Sequence, residues 1–181
     1  MKEITRLHVP CKIKYTKLVE DFTYSLGDHI YPDDEAARNR LSAVMNEVFT
    51  NIVKHSDTSD QDEMVRLQME VESGLLVISI YDHGPGIEVE KQLPPYDTSL
   101  IGIKKVHRKV IDGTVYLTVL DPNSLSFYFV KGEEKALQDP DYLSELRGHG
   151  LGLSIVTKIM DSLTYTSIGE GKYDWKMTKK L

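Results

Sequence analysis

Polar and apolar residues alternate through Thr5, Leu7 and Val9 until Pro10 ends the pattern, which predicts a short first strand. Tyr15, Leu18, Val19, Phe22 and Leu26 then recur at helical spacing, with Gly27 in the place of a C-terminal stop. A linker holding Pro32, Asp33 and Asp34 leads into a second helix, whose apolar stripe is Leu41, Val44, Met45, Val48 and Ile52. The period then falls to two. Leu67, Met69 and Val71 alternate with Gln68, Glu70 and Glu72, Ser73-Gly74 turns the chain, and Leu75 to Tyr81 runs back as the second arm of a hairpin. After DHGPGI at 82–87, about sixty residues lead to Arg147. They contain Pro94-Pro95, the basic run KKVHRK at 104–109, and a second hairpin of Thr114 to Leu120 and Leu125 to Val130 around an Asp-Pro-Asn-Ser turn. Leu151 to Met160 reads as a third helix, and Leu163 to Ser167 and Tyr173 to Leu181 as closing strands. This order of elements fits two layers around one core, with no internal repeat.

Composition narrows the class. A chain of 181 residues, 40% apolar and 28% charged, suits one globular domain spanning 1–181. The net charge of −6 argues against nucleic acid, which draws on clustered Lys and Arg. The run at 104–109 reads as a solvated basic face that could also meet an anion. The lone Cys11 excludes an internal disulfide and a Cys-rich metal site, and fits a reducing compartment. The N-terminal residues lack a signal-peptide pattern and no apolar stretch reaches spanning length, so the expected location is the cytoplasm, away from membranes.

Three polar islands interrupt this scaffold. In NEVFTNIVKH, Glu47, Asn51 and His55 are spaced by four and form one stripe at the edge of the apolar face of the second helix. In DHGPG, Asp82 falls on the same side as Ile78 and Ile80 by period-two counting, so its carboxylate points to the core side and needs a donor there. In RGHGLGLSIV, Gly148, Gly150 and Gly152 precede Leu151, Leu153, Ile155 and Val156, a loop running into a helix N-terminus where backbone N–H groups favour phosphate. No Walker A loop is present, and the spacing is not that of a Rossmann fingerprint. A polar helix edge, a turn after a strand and a flexible hinge would account for each island taken singly.

Taken together and in this order, E-x-x-x-N on a helix, D-x-G-x-G after a strand and G-x-G-x-G before a helix resemble the GHKL superfamily of ATP-binding domains, with its N box and two glycine boxes. Within it the chain is most similar to the stand-alone anti-sigma-factor serine kinases. LHVPCKIKYTKLVEDFTYSL, NEVFTNIVKHS and MDSLTYTSIGEGKYDWKMTKKL carry that likeness, which leaves out roughly residues 90–140.

The resemblance implies an α/β two-layer sandwich of Bergerat type, a mixed, largely antiparallel sheet with helices on one face. It implies ATP and Mg²⁺ as ligands, with Glu47 as general base, Asn51 as metal ligand, Asp82 as adenine reader, and Gly84, Gly86 and Ile87 beside the base. Gly148, Gly150, Leu151 and Gly152 would shape the return of a lid at about 88–147 onto the phosphates, with Lys54, His55 and Arg147 as further candidates for phosphate contact. The activity implied is phosphorylation of a serine or threonine on a partner, an anti-sigma-factor antagonist, with a sigma factor as another partner and a homodimer as a further option. A nucleotide-gated binding module without phosphotransfer and a stand-alone histidine-kinase catalytic domain are the alternatives. Two departures stand out: the lid carries an extra hairpin, and Lys172-Tyr173 stands where that group shows Gly-Thr, leaving Thr178 or a water to assist base recognition.

Overall fold

The structure is a computed structural model that describes residues 2–56, 63–110, 112–132 and 152–181. Along them run β1 (Glu3–Pro10), α1 (Thr16–Ile30), α2 (Glu35–His55), β2 (Met64–Glu72), β3 (Leu75–His83), β4 (Lys104–Val110), β5 (Gly113–Asp121), β6 (Ser124–Lys131), α3 (Gly152–Ile159), β7 (Ser162–Gly169) and β8 (Lys172–Lys180). The eight strands form one sheet in the order β1-β2-β3-β8-β7-β6-β5-β4. Every pair is antiparallel, so the sheet is not mixed. The final hairpin enters between β3 and β6, and this seats β8 beside the strand that ends in Asp82.

One face of the sheet is buried. Val65, Leu67 and Met69 of β2, Leu76, Ile78 and Ile80 of β3, Leu125 and Phe127 of β6 and Met177 of β8 join Leu41, Val44, Met45, Val48, Phe49 and Ile52 of α2 in one cluster. Burying each such side chain contributes about 1.5–3 kcal/mol, so this single seam dominates the stability of the fold. The other face carries Arg66, Gln68, Glu70, Tyr116 and Tyr128, all in reach of solvent. The helix α2 begins where Asp34 Oδ1 accepts from Ala37 N at 2.8 Å, an N-cap that satisfies one of the free donors.

Two elements differ from the sequence reading. The first helix does not stop at Gly27; it continues to Ile30 and ends at Tyr31, directly before Pro32. Gly27 is buried instead where α2 crosses, and a Cβ there would lie 3.2 Å from Arg38 Cγ, so the glycine serves close packing. The basic run is not one solvated patch but the edge strand β4, and its cations part company. Lys104 Nζ lies over the Tyr116 and Tyr128 rings at 4.3 and 4.9 Å, while Lys105 pairs with Glu90.

Candidate functional site

A cavity of about 410 Å³ opens beside α2 and brings together Asn51 and His55, the β3 terminus at Asp82, residues 84–88, His107 and Arg108 of β4, Leu153 of α3, Tyr165 and Trp175. Its floor is an aromatic row across the sheet. Trp175 lies 4.5 Å from Tyr165 and 5.9 Å from Phe127, ring centre to ring centre, and His107 meets Phe127 edge-on at 5.3 Å. Flat apolar walls with a few polar groups are what a small-molecule site needs.

Asp82 lines the cavity, half-buried on the core side as the alternation predicted. Burial pushes its carboxyl up to about 7, and the neighbouring Glu63 and Asp174 carboxylates add to the effect. The Trp175 indole lies close enough to oppose the shift, but not in hydrogen-bond geometry. Asp82 Oδ1 and Trp175 Nε1 are both sealed from solvent without a hydrogen-bond partner among the described residues. A carboxylate held this way gains from any donor that enters the cavity. Behind it, His83 Nδ1 lies 3.0 Å from the buried Glu63 carboxylate.

Beside Asn51, α2 meets the start of α3. A Cβ on Gly152 would lie 2.3 Å from Asn51 Nδ2 and 3.1 Å from Glu47 Oε2, so only glycine lets the helix start this close to the Glu47 and Asn51 stripe. Glycine is needed at 86 for two reasons: its φ is +86°, and a Cβ there would lie 2.6 Å from the Tyr173 hydroxyl. Tyr173, in the place of the expected Gly-Thr, opposes Asp82 across β3 and β8, stacks on Tyr165 at 4.9 Å and brings its hydroxyl to the Gly86 loop. The hydroxyl-bearing Thr178 does not substitute: it follows buried Met177 on the opposite face of β8 and bonds Ser162 Oγ at 2.6 Å. Among the other expected residues, Gly84 and Ile87 line the cavity and His55 does so from an exposed position, whereas Lys54 is exposed and away from the lining. Arg147, Gly148, Gly150 and Leu151 lie outside the described residues.

The arrangement joins a buried acceptor, an aromatic floor and a glycine-fronted helix start in one cleft. A family model of the histidine kinase-like ATPase domain matches residues 13–179. The chain belongs to this family. It is thereby a GHKL-type ATPase domain, and ATP is the ligand that membership supports. No curated protein matches the chain. The domain's fold agrees, with its antiparallel sheet covered on one face by three described helices. No described helix is long and apolar enough to cross a membrane.

Sequence reasoning missed Trp175, Tyr165, His107, Arg108 and Glu88 as lining residues of this ATPase domain. Trp175 had a signal: it stands two residues from Tyr173 on the same strand face, beside the strand of Asp82. His107 and Arg108 had none, because strand order together with the irregularity at His107 brings them to the cavity.

Proposed function

We propose that the chain is a Mg²⁺-dependent kinase of anti-sigma-factor type that transfers the γ-phosphate of ATP to a serine or threonine of a partner protein, an anti-sigma-factor antagonist. The observation that carries this reading is the close approach of Gly152 to both Asn51 and Glu47, where Asn51 lines the same cavity as the half-buried, donor-seeking Asp82.

The residues fit the ligands. An ionised carboxylate only accepts hydrogen bonds, so Asp82 takes a donor such as the adenine amine and disfavours a guanine oxygen in the same place. Gly84, Gly86 and Ile87 flank that base position, while Gly148, Gly150, Leu151 and Gly152 bring backbone donors to the phosphates. Asn51 offers a hard, neutral oxygen that would hold Mg²⁺, and the ion neutralises phosphate charge when bound. Among the described residues no three His, Cys, Asp or Glu side chains group to hold a metal. That suits Mg²⁺, which takes most of its ligands from water and phosphate. Glu47 accepts the proton of the attacking hydroxyl as its oxygen bonds to the γ-phosphorus and the bond to the leaving ADP oxygen breaks. We also assign residues 1–181 to a single domain and the cytoplasm as its location, with a sigma factor as a further partner.

Calorimetric titration with ATP, with and without Mg²⁺, tests the ligand half. Asp82→Asn should weaken binding at least about tenfold, the scale of one charged hydrogen bond. Glu47→Ala should keep ATP binding and lose about a hundredfold or more of phosphate transfer to the antagonist protein, the weight of a general base. The product should be stable to acid and labile to base, as phosphoserine and phosphothreonine are. Unchanged transfer by Glu47→Ala would remove that residue from the mechanism, and acid-labile label would point to phosphohistidine instead.

A further inference from the structure

The edge strand β4 brings to the cavity a charge that no motif marks. Among the described residues lining it, Asp82 and Glu88 are the acids and Arg108 is the one Lys or Arg. An irregularity in β4 places it there. Val106 opposes Tyr116 and Arg108 opposes Val115, which are neighbours on β5, so His107 is an extra residue between them. In a regular strand, residues 107 and 108 would face opposite sides of the sheet; here both border the cavity. His107 packs edge-on against Phe127, and burial, then the charge of Arg108, hold its imidazole down to about 4, so it is neutral near pH 7.

The same cavity is lined by Asn51 of α2 and Leu153 of α3. A ligand that satisfies Asp82 at one end and carries several negative charges would need a cation in this cleft. The forked donors of a guanidinium match phosphate oxygens well. We propose that Arg108 is a phosphate-binding residue of the nucleotide site, carried there by the edge strand β4 and its bulge at His107, an assignment that rests on the ATP reading above. The β4 edge thus acts as a charged wall of the site.

Trp175 is the sole tryptophan and lines the cavity, so its fluorescence reports occupancy. Adenosine, ADP and ATP are titrated into the intact chain and into Arg108→Ala, Arg108→Lys and Asp82→Asn. Arg108→Ala should weaken ATP about tenfold or more while adenosine changes less than about twofold, and lysine should recover part of the loss. Equal losses for adenosine and ATP, or unchanged ATP affinity, would overturn the proposal. The two readings separate cleanly. If Asp82→Asn leaves ATP affinity intact while Arg108→Ala lowers it, the adenine assignment falls and Arg108 stands. A wild-type chain that binds none of the three ligands overturns both.

Discussion

Asp82 concentrates the conflict between stability and binding in one side chain. Its folded-state carboxyl is raised to about 7 by burial, whereas in the unfolded chain it titrates near its ordinary value. Between these values the native state holds the proton and the unfolded state does not, so the group's contribution is fully present below about pH 4 and is lost as pH rises through about 7. The cost at pH 8 is on the order of 4 kcal/mol at most. Urea melts of the ligand-free protein should therefore show Asp82→Asn more stable than wild type at pH 8, with the gap shrinking as pH falls below about 7 and closing only by about pH 4. ATP affinity should move the other way, rising with pH through about 7, because a bound donor favours the carboxylate. A gap that is independent of pH would mean that Asp82 is solvated.

Between elements, the decisive contact is helix start against helix edge. Gly152→Ala places a methyl 2.3 Å from Asn51 Nδ2, closer than any tolerated contact, and the amide has to move or α3 has to retreat. We expect a loss of about 1–3 kcal/mol in denaturant unfolding, typical of overpacking, together with weaker ATP binding. Gly27 gives the contrast. Its neighbours are Arg38 Cγ, Cβ and Cα at 3.2, 3.4 and 3.5 Å, so a methyl there asks for a smaller shift than the 2.3 Å approach at Gly152. Its role was misread from sequence because glycine near a helix end signals a stop only when the chain turns to positive φ there. Nothing local in residues 16–30 announces the crossing of α2.

Across the whole molecule, ligand binding should report itself as stability. ATP at a hundredfold excess over its Kd adds about 2.7 kcal/mol, which for a chain of this size raises Tm by about 5–10 °C. Thermal melts with ATP and Mg²⁺ should show this rise, and Asp82→Asn at the same ATP concentration should cut it to about half or less, since a tenfold weaker Kd leaves about 1.4 kcal/mol. No rise for the wild type at saturating ATP would count against nucleotide binding by the isolated chain.

The sequence by itself determined most elements and the directions of the side chains around which the site is proposed. Period-two alternation aims Asp82 inward, and spacing by four lines up Glu47, Asn51 and His55, because those directions follow from local backbone geometry. Tertiary structure alone decided that β8 lies between β3 and β7, that Tyr173 backs the Gly86 loop, and that β4 brings Arg108 to the cavity. Strand order depends on how separate segments share one buried face. A bulge such as that at His107 changes which side chains look inward without changing the composition of the strand.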